Sequence, residues 1–268
     1  MIKINKLNCP NELTFECQKE LTFKYLKDGE SVWKQPFIEN SLLESSHTKC
    51  IYCECKLNVE SKYMEIEHFH DKKRYPFEVV NWENLLPSCK RCNGKKSTFD
   101  TKLNPFIHPA KMDPRVHLVL SDFRLWPVTQ AGDNTIKTLL LNDPIKLVQQ
   151  RFQIVNTVSS TLADIHDNVQ DYYNNTRRTS HNRNKFMSAI DNLLLEAMPS
   201  ASYSATVATA IINNPDFLSI VDILNLEDLW DNELQKKFNV ISDLSLETDL
   251  KKTMAYKKKQ GAFQPLSR

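Results

Sequence analysis

Leu13, Cys17, Leu21 and Phe23 or Tyr25 recur at near-helical spacing between residues 10 and 27, which predicts a helix that Gly29 ends. A second, shorter helix is expected from Pro36, which suits a first turn, with Phe37, Leu42 and Leu43 as its apolar positions. From Tyr63 to His68 the period changes to two. Met64 and Ile66 fall on one face, Glu65 and Glu67 on the other, as in a strand. After a loop over 70–76, a second extended stretch is expected through Val79, Val80, Trp82, Leu85 and Leu86. A helix entered from Ser88 then carries Cys89, Cys92, Asn93, Lys95 and Lys96. The local order is strand, loop, strand, helix.

Beyond Pro105 the texture changes. Residues 116–120, 125–129 and 135–141 are short extended candidates, with Gly132-Asp133-Asn134 as the turn between the last two. Asp143-Pro144 reads as a helix start, Asp as cap and Pro in the first turn. The helix runs to about Tyr173, with Val148, Phe152, Val155, Leu162, Ile165 and Val169 at near-helical spacing. Further helices are expected over 182–197, 203–212 and 227–238, and the Lys257-Lys258-Lys259 run reads as a solvated end. The pattern predicts an α+β chain, mostly helical, around one small strand-bearing module. Its expected divisions are a helical segment 1–46, the module 47–104 and a mainly helical region 105–268.

Composition narrows the class. The chain has 268 residues, 41% hydrophobic and 25% charged, ordinary for a soluble globular protein with a core of some size. Four glycines argue against a many-turned all-β design. Seven cysteines, an odd number, with nothing leader-like in Met1-Ile2-Lys3-Ile4-Asn5, point to a reducing cytoplasm rather than a secreted disulfide scaffold. No long apolar run suggests a membrane span. The net charge of +2 tells little until it is divided. Residues 62–102 hold nine Lys/Arg and six Asp/Glu, a charge of +3, which leaves −1 for the remainder. That bias can hold nucleic acid for cleavage but is modest as a source of affinity, which leaves room for a partner.

The chemistry concentrates in the module. Cys50-x-x-Cys53 and Cys89-x-x-Cys92 suit one tetrahedral zinc, closed and therefore structural. Cys55 is read as a spare thiol. Between the pairs, His68 is a candidate general base, since imidazole takes a proton from water near neutral pH. Glu67 offers hard oxygen to a magnesium-type ion, and Asn93 a second, neutral oxygen from the following helix. Asn84 is expected to bond loop backbone groups and so orient His68. His70, Lys72, Lys73, Arg74, Lys95 and Lys96 flank these residues as candidate phosphate contacts, against the plainer reading of solvated charges.

The blocks Glu67-His68-Phe69, Asn81-Trp82-Glu83-Asn84-Leu85-Leu86 and Ser88-Cys89-Lys90-Arg91-Cys92-Asn93-Gly94-Lys95-Lys96 resemble the zinc-containing HNH endonucleases, a ββα-metal family. The resemblance covers residues 49–102. It implies a zinc-braced ββα-metal module with His68 as general base, Asn84 as loop-positioning residue, and Glu67 with Asn93 as ligands of a catalytic Mg2+ or Mn2+. Glu stands where Asp is commoner before the His, and Asn93 where the family often has its last His. The early Cys9-Pro10 and the run Asn104-Pro105-Phe106-Ile107-His108-Pro109 resemble the HNH subunits of Septu and retron antiphage systems. That implies DNA as substrate and an ABC-type ATPase of the PtuA kind as partner, docked on the helices after Pro105. A stand-alone HNH endonuclease, and a catalytically silent zinc module that only binds a partner, remain the rival readings.

Overall fold

The computed structural model describes residues 1–59 and 63–261 and divides the chain into two compact units. The first comprises residues 1–118, 125–142 and the chain from 250 onward; the second comprises 119–124 and 143–249.

In the first unit, α1 (Phe15–Asp28) begins where the Thr14 hydroxyl accepts from Cys17 N, and ends where Gly29 turns left-handed at φ 70°. α2 (Pro36–Ser45) starts on its proline as expected. β1 (Met64–His68) pairs antiparallel with β2 (Leu85–Cys89), in the register Met64 opposite Cys89 through His68 opposite Leu85. α3 (Lys90–Lys96) follows at once. The expected second extended stretch is shorter than the pattern suggested. Pro76–Glu78 and Trp82–Asn84 are single 3-10 turns, and the strand opens only at Leu85.

Leu13, Val32, Ile38 and Leu42 pack with Ile66, Val79, Val80, Trp82 and Leu85 in one core. Ile38 and Leu42 have no exposed surface, which is worth about 1.5–3 kcal/mol each. Apolar residues from before position 47 thus share the core of the module. Lys6 donates to the Leu85 carbonyl at 2.8 Å and Trp82 Nε1 to the Leu7 carbonyl at 2.9 Å, tying the first residues to the same hairpin.

Residues 135–141, expected to be extended, lie largely in a helix. β3 (Leu118–Ser121) and β4 (Arg124–Pro127) form a second two-stranded sheet, and α4 (Gln130–Thr138) follows it. The Thr129 hydroxyl caps α4 by accepting from Gly132 N at 3.1 Å. Gly132-Asp133-Asn134, taken as a turn, is the first part of that helix.

In the second unit a π-helical turn, Pro144–Val148, capped by Asp143, leads into α5 (Gln149–Tyr173). α6 (Ser180–Leu195), α7 (Ser204–Ile212) and α8 (Pro215–Leu226) pack against it, and α9 (Asn232–Leu244) packs on α6 and α7. Helix α8 was not expected, although Asn214 caps it with Oδ1 and Pro215 opens its first turn. The stripe Val158, Leu162, Ile165 and Val169 of α5 is buried with Phe186, Ile190, Ile211, Phe217, Ile220 and Ile241. That stripe is satisfied inside its own unit, whereas Phe152 on the same helix remains exposed. The chain then returns to the first unit as α10 (Lys251–Lys259), where Lys257 lies over the Trp126 ring at 4.6 Å. The lysine run lies on this helix, with Lys258 and Lys259 exposed to solvent as expected. No single helix among the described residues is long and apolar enough to cross a membrane.

Candidate active site

The two knuckles meet. The sulfurs of Cys50, Cys53, Cys89 and Cys92 all lie within 4.8 Å of one another, in buried positions that could hold a metal ion. Cys53 and Cys89 Sγ are 3.8 Å apart, close to the edge of about 3.8 Å expected for a tetrahedron with metal–sulfur arms near 2.3 Å. The first knuckle closes through Cys50 N to Cys55 O and Glu54 N to Cys50 O, both 2.9 Å, and Ile51 N fastens it to Pro87 O of β2. The second knuckle is the start of α3, where Cys89 Sγ accepts from Cys92 N at 3.5 Å. Cys55, expected to be spare, is not among the four grouped sulfurs, although its thiol lies against those of Cys50, Cys53 and Cys89 and its backbone closes the turn.

Alternation along β1 sends Glu65 and Glu67 toward α3 and His68 the other way. The His68 ring is buried, packs edge-on against Trp33 with centroids 4.8 Å apart, and places Nε2 2.8 Å from the Val79 carbonyl. A carbonyl only accepts, so Nε2 carries the proton and Nδ1 carries the lone pair. Burial, with Lys72 adding to it, holds the His68 pKa down at about 3. The imidazole is neutral, as a base must be.

Asn84 clamps the loop between the strands. Its Oδ1 accepts from His70 N at 2.6 Å, and its Nδ2 donates to the carbonyls of His70 and Glu78, each at 3.1 Å. These are the two ends of the loop, one position from Val79 and two from His68. The expectation that its carboxamide binds loop backbone matches this geometry. His70 donates from Nδ1 to the Thr101 hydroxyl at 2.8 Å, which donates on to the Phe69 carbonyl at 2.7 Å. Its Nε2 is therefore the acceptor nitrogen, and burial lowers its pKa.

The pairings along α3 differ from expectation. Asn93 Nδ2 donates to Glu65 Oε2 at 2.7 Å, not toward Glu67. Glu67, 1% exposed, pairs with Lys96, whose Nζ is 2.6 Å from Oε1 and also donates to the His68 carbonyl at 2.8 Å. Residues 93 and 96 share one side of the helix, and 65 and 67 share one side of the strand, so Asn93 meets Glu65 and Lys96 meets Glu67. His68 consequently does not face Asn93 across a groove. Burial pushes the Glu67 carboxyl up to about 7 against the opposing pull of Lys96. The donor set still fits a hard cation: a carboxylate and a backbone carbonyl already hold a positive charge there.

Among the expected phosphate contacts, Lys73 and Lys95 are exposed. Arg74 pairs with Asp100 at 2.6 Å, and Lys72 lies over Trp33 at 4.8 Å. Lys96 has no exposed side chain and cannot touch DNA in this arrangement. The sequence reading missed Trp33, Val79, Thr101 and Glu65. Only Glu65 left a signal, by sharing the Glu67 face of β1.

An HNH endonuclease family model matches residues 50–99. Over 236 residues the chain is 41% identical to the Septu protein PtuB of Bacillus thuringiensis, covering 88% of this chain and 91% of that one. The chain belongs to the PtuB family. A second Septu protein PtuB, from Bacillus mycoides, is 28% identical over 188 residues, 58% of this chain and 63% of its own length. The family is thus shared well beyond the module, through most of both units, and the chain is an HNH nuclease.

Proposed function

We propose that this chain is a metal-dependent endonuclease that hydrolyses DNA phosphodiester bonds as the effector nuclease of a Septu-like antiphage complex, beside an ABC-type ATPase of the PtuA kind. The observation that carries the chemistry is the His68 imidazole, its proton committed to the Val79 carbonyl at Nε2 and its lone pair left on Nδ1. In that reading Nδ1 takes the proton of the attacking water. Asn84 holds both ends of the 70–78 loop and thereby the Val79 carbonyl that sets the tautomer. Glu67 would hold Mg2+ or Mn2+, with Asn93 as a second oxygen ligand once it turns from Glu65. Bound there, such an ion neutralises charge growing on the phosphate. Cys50, Cys53, Cys89 and Cys92 would hold a structural Zn2+ that fixes α3 against the hairpin. The +3 charge of residues 62–102 supports DNA over a protein substrate, and its small size supports a partner that brings the DNA.

The test is His68→Ala with linear and supercoiled DNA in magnesium or manganese. Cleavage is expected to fall by about 10²–10⁴-fold, with zinc content and melting unchanged. Undiminished cleavage by this variant would remove His68 from the chemistry. Co-purification with the neighbouring ATPase addresses the partner: elution alone, with efficient cutting at physiological salt, would favour a stand-alone endonuclease.

A further inference from the structure

The position suited to a cation at Glu67 is held by a residue of the chain itself. Lys96 ends α3, its side chain has no exposed surface, and its ammonium lies between the Glu67 carboxylate and the His68 carbonyl at 2.6 and 2.8 Å. A lysine ammonium is a compact, strongly hydrated point charge, and it leaves water only where hard oxygens replace its hydration. Both oxygens come from the Glu-His pair, side chain from one residue and backbone from the next. Lys95, one position earlier, stays in solvent. The burial therefore belongs to position 96 and not to the helix end as such.

We propose that Lys96 is a positioning residue for the catalytic cation: a tethered counter-ion that holds the Glu67 carboxylate and the His68 carbonyl in the resting protein and gives way to the divalent ion when that ion binds. The inference rests on the assignment of Glu67 to the catalytic cation. No bond is made or broken in the exchange. One monovalent charge leaves the carboxylate and one divalent ion replaces it. Metal affinity is then weaker than the ligands alone would give, because binding must first separate a buried ion pair.

Mn2+ binding to the full, zinc-loaded chain, followed by electron paramagnetic resonance, tests this directly. Lys96→Met is expected to bind Mn2+ about tenfold or more tightly than the parent. Adding Glu67→Gln should remove the site in either background. Equal or weaker binding by a folded Lys96→Met overturns the inference and leaves Lys96 as a structural brace. If Glu67→Gln alone leaves Mn2+ binding intact, the metal assignment itself fails, which is a different result. Lys96→Met strands a buried carboxylate and can lose the fold, so the unmodified protein supplies a second measurement. Acetylation of its lysines, read by mass spectrometry, should find Lys96 protected without divalent ion and labelled several-fold faster at saturating Mn2+, with Lys95 unchanged. Labelling of Lys96 that does not respond as Mn2+ saturates overturns the proposal.

Discussion

A histidine that serves as a base must be neutral and must present its lone pair in a fixed direction; for His68 burial supplies the first and the Val79 carbonyl the second. With a pKa held near 3, cleavage at saturating magnesium should stay flat from pH 8 down to about 5.5 on account of this group. A pH–rate profile that halves near 6.5 would show an ordinary, solvated imidazole instead. Stability moves with the same group. Its folded pKa lies below the unfolded value of 6.5, so the unfolded chain binds the proton first. The contribution is complete above about pH 6.5 and is lost as pH falls toward 3, at about 1.4 kcal/mol per unit. At this scale the four cysteines and Asn84 were legible in the sequence, because spacing and amide chemistry specify what they can bind. The partners of Glu67 and Asn93 were not, because they depend on how the helix ladder meets the strand ladder.

Secondary elements were recoverable wherever a cap or a period marked them, as Thr14 and Gly29 mark α1 and Asp143-Pro144 marks the entry to α5. The α4 helix failed the same reading because Gly132-Asp133-Asn134 has turn composition. Its glycine is there for contact. A Cβ at Gly132 would come 2.3 Å from the His117 carbonyl oxygen, a backbone atom that cannot swing away. Replacing a helical glycine by alanine ordinarily gains up to about 1 kcal/mol. Gly132→Ala should instead destabilise, by about 1–3 kcal/mol as overpacking does, and lower the melting temperature. A melting temperature equal to or above the parent's would show that the helix can slide off His117. Helix α8 was missed for a different reason: its Asn214-Pro215 start lies at the end of an uncharged tract that reads as the flank of the preceding helix.

The boundaries 47 and 104 follow the motif, whereas the compact unit follows packing. Leu13, Val32, Ile38 and Leu42 lie before residue 47 and share the core of the hairpin. Arg91 on α3 donates to the carbonyls of Leu139 and Leu140, well past residue 104. A fragment 47–104 is therefore expected to show collapsed amide dispersion by NMR even with zinc present, and a dispersed spectrum would establish an autonomous module. Local motifs specify chemistry, but long-range apolar contacts between weakly patterned segments decide what folds together. The return of α10 to the first unit also sets an order of events in the cell. Tyr256 reaches Gln130 across more than a hundred positions, and the last contacts of the nuclease wait for the ribosome to finish the helical unit between them. Closing so long a loop while it is still unfolded costs about 4 kcal/mol in chain entropy, so a helical unit that folds first removes much of that cost. Contacts between α10 and α4 thus form only after the helical unit between them has been made.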